Sequence, residues 1–388
     1  MDASLSEDAS QVRIPVTVLT GVLGAGKTTL LRYILEKPHG YRVAVIQNEF
    51  SEEMGMEAPL FTDANGDTIK DVYELPNGCL CCSAKDGLIG MLDVLLEHKN
   101  RFDYVLVEAT GIADPEAVCE VFWVDEGLGS RVYLDGVLSL VDAYNMSSYL
   151  GKRKASHGYP EEGAKSTSLG LEAEAIKQVA CADVLILNKV DLVAEADRAR
   201  AAAMLREINP TARLLESRFA EVPLGEILGL QAFDKDRLAA SVLGLPVLEE
   251  REEGGHGHAH SHSDGHCNDC EAGKLLGAHG IESVLLQGEA GALYDPNKVR
   301  SWLAEVLWEG TAGFVYRCKG LFRGPPEDEE DPPEQTTIVS HALQGVGKIF
   351  EIEQAGKATV ERSKMLFIGR GLQRDVLAAG LKACLASD

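Results

Sequence analysis

Basic charge is what this chain is short of. It sets 37 Lys and Arg against 61 Asp and Glu, for a formal net charge of -24 over 388 residues. So acidic a chain repels the phosphates of nucleic acid and the headgroups of an anionic membrane, and neither is expected as a partner. Acidity suits solubility and the handling of cations. Long apolar runs are missing too, since no stretch approaches the length that spans a bilayer. The opening Met1-Asp2-Ala3-Ser4-Leu5-Ser6-Glu7-Asp8 lacks the basic-then-apolar pattern of a signal or transit peptide. The cytosol is the expected location, with a nuclear pool left open. In that compartment the nine cysteines stay reduced, so clustered cysteines read as metal ligands before disulfides.

What is present begins with Gly21-Val22-Leu23-Gly24-Ala25-Gly26-Lys27-Thr28, a complete G-x-x-x-x-G-K-[ST] phosphate-binding loop, followed by Thr29. The β-branched run Val16 to Thr20 predicts a strand before it, and Leu30, Leu31, Ile34 and Leu35 predict a helix after it. Gly21, Gly24, Ala25 and Gly26 let the backbone N–H groups and the helix N-terminus face the phosphates. Lys27 adds a point charge and Thr28 a hydroxyl for Mg²⁺. Further apolar strands are expected at 42–46, 103–107, 136–142, 182–187 and 212–217. The strand at 42–46 delivers Glu49, a candidate Mg²⁺ or metal contact. The strand at 103–107 ends in Glu108-Ala109-Thr110-Gly111, where an acid can hold the Mg²⁺ shell or the attacking water and Gly111 can approach a γ-phosphate. The strand at 182–187 runs into Asn188-Lys189-Val190-Asp191. There a carboxylate on Asp191 accepts from both N1–H and the 2-amino group of guanine, which selects GTP over ATP.

Between these strands, Gly78-Cys79-Leu80-Cys81-Cys82 packs three thiols into four positions after a turn-forming Asn-Gly. Thiolates suit Zn²⁺ or Cu⁺. Cys79, Cys81 and Cys82 supply three ligands, so a fourth comes from elsewhere or from solvent, and an open position suits exchange. Alternating strands and helices predict a doubly wound, mainly parallel α/β sheet over residues 1–233. Residues 234–280 change character. Five of the ten histidines fall between His256 and His266, followed by Cys267 and Cys270, in a Gly- and Ser-rich setting that builds no core. This stretch reads as a flexible, metal-collecting linker. A smaller α+β domain is expected over 281–388, with Trp302, Leu303, Val306 and Leu307 as core and residues 327–334 as an exposed acidic loop.

With these motifs together, the chain resembles the CobW-type metallochaperone GTPases, and within them the eukaryotic zinc-regulated GTPase metalloprotein activators. The resemblance rests on the phosphate loop, Asn48-Glu49-Phe50, the Cys79-Leu80-Cys81-Cys82 motif, Glu108 through Pro115, Asn188 through Asp191, the His-rich linker and a CobW-type C-terminal domain. It implies a P-loop GTPase that uses GTP, Mg²⁺ and Zn²⁺ and passes zinc from its cysteines to a client metalloprotein, with type 1 methionine aminopeptidase the implied recipient. It also implies that Lys85 touches the nucleotide. Ser51 stands where the family often has glycine, and the Cys-Pro-Glu-Leu-Val-Pro docking motif of the animal proteins is absent from residues 1 to 14. Two alternatives stay open: a GTP-gated switch with a structural zinc, and a chaperone for nickel or cobalt.

Overall fold

The computed structural model describes residues 13–47, 72–74, 84–97, 102–109, 115–124, 131–146, 166–244, 281–326, 338–355 and 360–386. The first domain holds strands β1 (Ile14–Gly21), β2 (Val43–Gln47), β3 (Val72–Glu74), β4 (Tyr104–Glu108), β5 (Val132–Asp142), β6 (Val184–Asn188) and β7 (Arg213–Glu216). They form one sheet in the order β3-β2-β4-β1-β5-β6-β7, and every pairing is parallel. Parallel neighbours need crossovers, and the helices lie among these: α1 (Lys27–Glu36), α2 (Ala84–Glu97), α3 (Pro115–Val124), α4 (Ser166–Cys181) and α5 (Glu195–Ile208). Helices on both faces explain why the strands read as near-continuous apolar runs. One core gathers Leu30, Leu31 and Ile34 of α1 with Leu205 of α5, and a second gathers Leu88 and Leu92 of α2 with Val118 and Phe122 of α3.

The second domain has helix α6 (Lys235–Leu243), β8 (Ile281–Gln287), α7 (Pro296–Glu309), β9 (Phe314–Gly324), β10 (Val339–Val346), β11 (Ile349–Ala355), β12 (Lys364–Arg370) and α8 (Arg374–Ala383). Its sheet runs β11-β10-β9-β12-β8, with antiparallel pairs throughout. Side chains alternate across a strand. On β12, Met365 and Phe367 join the core under α7 and α8 with Trp302 and Leu303, whereas Leu366 and Ile368 enter the same core as α1 and α5. The second sheet is thus sandwiched between its own helices and the first domain. Helix α6 falls within the stretch read as linker; Leu238 and Val242, at i and i+4, are both buried in the shared core. The spacing is that of one helical face.

Charge also crosses between the domains. Asp183, just ahead of β6, is buried with Arg317 and Lys319 of β9. Its carboxylate pairs with the Arg317 guanidinium, accepts from Lys319 Nζ at 3.1 Å and from the Val137 N–H at 3.1 Å. Arg317 donates as well to the Cys181 carbonyl at 2.8 Å and lies 5.1 Å from the Phe233 ring. Burial pushes the Asp183 carboxyl up, but Arg317, Lys319 and the Val137 N–H outweigh it and hold the group below the ordinary carboxylate range. A carboxyl lowered in the folded state contributes stability above its unfolded pKa of about 3.9 and loses that contribution as pH falls below it. Asp183→Asn leaves two cations buried against a neutral amide, an expected cost of about 3–5 kcal/mol in urea unfolding. The variant should also lose part of the acid-side decline. A cost below about 1 kcal/mol, as for an exposed pair, would contradict the arrangement.

Candidate functional site

An all-parallel sheet delivers its C-terminal strand ends to one edge, and ligands bind at such edges. Here that edge collects the loop after β1 and the ends of β4, β5 and β6. Register places Glu108 opposite Leu19 and Asp142 opposite Asn188, so the predicted phosphate and base residues converge across four adjacent strands.

Gly21, Gly24 and Gly26 have φ of 142°, 77° and 111°, the left-handed side that favours glycine. A Cβ on Gly26 would lie 2.5 Å from Asn188 Nδ2, and one on Gly21 2.5 Å from the Leu140 carbonyl oxygen, while Gly24 faces open space. Helix α1 starts at Lys27 with no side chain capping its N-terminus, so its first N–H groups are available to an anion. The Lys27 ammonium is folded over the loop, donating to the Gly21 carbonyl at 2.8 Å and reaching that of Val22 at 3.5 Å. Burial pushes this ammonium below its ordinary value while the Glu108 carboxylate pulls it back up. Thr28 and Thr29 are exposed in the first turn, and Glu108 is half-buried. A hydroxyl and a carboxylate are hard oxygen donors of the kind Mg²⁺ takes.

The base end is built on the buried Asn188 side chain. Its amide donates to the Ala25 carbonyl at 2.9 Å, and its carbonyl accepts from Ser217 Oγ at 3.0 Å and from the Ala220 N–H at 2.9 Å. One side chain thereby locks the phosphate loop to the segment after β7. Lys189 is held in the left-handed region, φ 61°, with its ammonium 2.7 Å from Asp142 Oδ2. Burial raises the Asp142 carboxyl, but bonds from Lys189 and Asn145 more than offset it and leave it lowered. Asp191 sits exposed in a short 3₁₀ turn, Val190–Leu192. Phe219 and Ala220 are also left-handed, at φ 53° and 59°; three strained non-glycine residues in one neighbourhood mark a site the surroundings over-determine.

Asp142 and Asn145 are the residues that motif reading undervalued, whereas Ser217 to Ala220, expected beside the base, do lie against Asn188. Asp142 had a signal, because it ends an apolar strand just as Glu108 does. Lys85 lies in the first turn of α2. Glu49, Cys79, Cys81, Cys82, Gly111, the histidine-rich residues and the acidic loop 327–334 lie outside the described residues. Among the described residues no group of three His, Cys, Asp or Glu side chains could hold a metal ion, and no helix is long and apolar enough to cross a membrane.

Residues 15–216 match the CobW/HypB/UreG nucleotide-binding domain, and residues 286–385 match the cobalamin synthesis protein cobW C-terminal domain. The chain belongs to the CobW family. As a CobW protein with this phosphate loop and this base site, it is a GTPase, converting GTP and water to GDP and phosphate. It is 30% identical over 95% of its length, and 85% of the other's, to zinc-regulated GTPase metalloprotein activator 1 of Schizosaccharomyces pombe. It is 35% identical over 57% of its length, and 62% of the other's, to the zinc chaperone YjiA of Escherichia coli. The crystal structure of zinc-bound YjiA GTPase superposes with a TM-score of 0.60 at 25% identity, covering 96% of this chain and 99% of that one.

Two substitutions separate scaffold from readout. Asn188→Ala strands the Ala25 carbonyl, the Ser217 hydroxyl and the Ala220 N–H at once, so unfolding free energy should fall by about 1–3 kcal/mol and GTP affinity with it. Asp191→Asn, at an exposed position, should change stability by less than about 0.5 kcal/mol while moving base preference from guanine toward xanthine. Unaltered GTP affinity in the second variant would remove Asp191 from the base site.

Proposed function

We propose that this CobW GTPase is a zinc metallochaperone, in which GTP hydrolysis drives transfer of zinc from Cys79, Cys81 and Cys82 to a client metalloprotein. The observation that carries the reading is the joining of a complete GTP edge, Lys27 through Thr29 with Glu108, Asn188 and Asp191, to a three-thiolate motif that lies in the chain between Glu49 and Glu108. The names of the relatives, a metalloprotein activator and zinc chaperones, support zinc as the cargo. Lys27 neutralises charge on the β- and γ-phosphates, and the N–H groups at the start of α1 bind their oxygens. Thr28, with Glu108 or Glu49 beside it, would hold Mg²⁺, which when bound would supply charge neutralisation on the transferring phosphoryl group. Glu108 orients the attacking water, Gly111 approaches the γ-phosphate, and Lys85 reaches the nucleotide from α2. The cysteines hold cargo and take no part in hydrolysis. The cytosol keeps those thiolates reduced and available.

Segments that contact the γ-phosphate flank the thiolates on both sides in the chain, so ordering by Mg²⁺-GTP changes the coordination on offer. Linkage requires zinc to change GTP affinity by the same factor, and a coupling of about 5- to 150-fold is typical. The GTP form binds zinc tightly and the GDP form releases it to the client. Type 1 methionine aminopeptidase is the recipient that the family resemblance proposes. The test is zinc affinity by chelator competition in the apo, Mg²⁺-GDP and Mg²⁺-GTP-analogue states, repeated with Cys81→Ala, Cys82→Ala. The proposal expects the analogue state to be tightest by about tenfold or more and the double variant to lose that difference. Affinity equal in all three states would leave a GTPase with a bystander or structural zinc.

A further inference from the structure

At the opposite edge of the parallel sheet, where β1, β4 and β5 begin, lies a pocket of about 1000 Å³ that none of the GTP chemistry uses. Arg13, Arg42, Arg131 and Arg237 line it together with Tyr41 and Tyr133, and Asp103 is the one carboxylate among its lining residues. Arg42 is ion-paired with Asp103 at 3.0 Å and Arg131 with Asp93; four guanidinium groups against these two carboxylates are still a local reversal in a chain of net charge -24. The pocket is remote from the phosphate loop, since Arg13 and Gly21 stand at either end of β1, whose eight residues span roughly 25 Å.

One wall of this pocket is constructed at a cost. Gly229 and Gln231 both line it and both have positive φ, 65° and 47°; for glutamine that is a strained conformation that persists only where the surroundings impose it. The fully buried Asp135 imposes it. Its carboxylate accepts from the N–H groups of Leu230 and Gln231, each at 2.8 Å, and from the Tyr104 hydroxyl at 2.5 Å. The Asp135 carbonyl accepts from the Ala232 N–H at 2.8 Å, and the Gly229 N–H donates to the Tyr104 hydroxyl at 3.2 Å. Four successive N–H groups are thus pinned. So held, the loop turns the carbonyls of Leu230 and Gly229 toward Arg237, whose guanidinium donates to them at 2.6 and 3.4 Å. Neutral carbonyls fix the direction of this side chain and leave its charge for a ligand. Across the cavity the Arg13 guanidinium lies 5.6 Å from the Tyr133 ring.

We propose that this pocket binds an organic polyanion of small-molecule size, carrying two or more phosphate or carboxylate groups and an apolar portion that lies against Tyr41 and Tyr133. Guanidinium forks match both kinds of oxyanion in bidentate geometry. The volume is that of a small-molecule site, and the aromatic rings serve a skeleton rather than a bare ion. This proposal is independent of the metallochaperone reading, because no residue of the pocket belongs to the GTP edge or to the cysteine motif.

The experiment uses the full chain saturated with Mg²⁺-GDP, so that the phosphate loop is occupied. Tripolyphosphate and citrate are titrated in parallel by calorimetry at low salt, against the parent and against Arg237→Gln and Arg13→Gln variants whose GTP turnover and melting temperature match it. Saturable binding of at least one probe is expected, weakened about tenfold by either variant through loss of a charge-assisted hydrogen bond. Binding of tripolyphosphate alone assigns a phosphorylated ligand, and binding of citrate assigns a polycarboxylate. Absence of saturable binding by both probes would overturn the proposal. So would binding that both variants leave unchanged, or binding that excess GDP displaces.

Discussion

The buried carboxamide of Asn188 is the interaction on which the nucleotide edge depends. Three groups from two separate segments meet on it at the end of β6: the Ala25 C=O in the phosphate loop, and the Ser217 O–H and Ala220 N–H after β7. That amide adds a direct hydrogen-bonded tie between the phosphate half and the base half, which also share one apolar core through Val22, Ala25, Val190 and Ala220. With it, a Cβ cannot be added to Gly26 without meeting the same side chain. Phosphate recognition and guanine recognition are thereby one rigid body, which pre-organises the site and lowers the ordering cost of binding.

Strand β6 carries a second constraint at its other end. Asp183 precedes it and is gripped by Arg317 and Lys319 of the second domain, so the five residues that end in Asn188 are tethered at both termini. A further contact between the domains reaches helix α3. Glu116, in the first turn of α3, accepts from the Lys348 N–H at 3.2 Å and lies 3.8 Å from Lys177, and Gly347 leaves no room for a Cβ against it. Helix α3 follows directly on the Glu108 to Asp114 segment. The second domain is therefore attached both to β6 and to helix α3.

Much of this was legible in the residues. The phosphate loop, the Asn188 to Asp191 motif and the alternation of apolar runs with helical periodicity point to a parallel α/β sheet with the site at its carboxyl edge, and that is the architecture observed. The second domain's strands and its Trp302 helix were readable from the same periodicities. What escaped was long-range. Arg317 and Lys319 stood out in no motif, because nothing in Tyr316-Arg317-Cys318-Lys319 announces a carboxylate more than a hundred residues away. Lys189 and Gln231 gave no sign of positive φ, since the forces that hold them there come from Asp142 and Asp135 on β5. Helix α6 was hidden by the polar composition that follows it, although Leu238 and Val242 mark its buried face.

The central claim is that hydrolysis, and not nucleotide binding alone, moves the metal. Zinc-loaded protein carrying one equivalent of GTP should be mixed in a stopped-flow instrument with a zinc-chelating dye, with phosphate release followed in the same reaction, and the run repeated with a slowly hydrolysed GTP analogue. The account predicts that with GTP the dye signal rises at the rate of phosphate release, and that with the analogue it rises about tenfold or more slowly. Zinc that reaches the dye at one rate in both runs would contradict it.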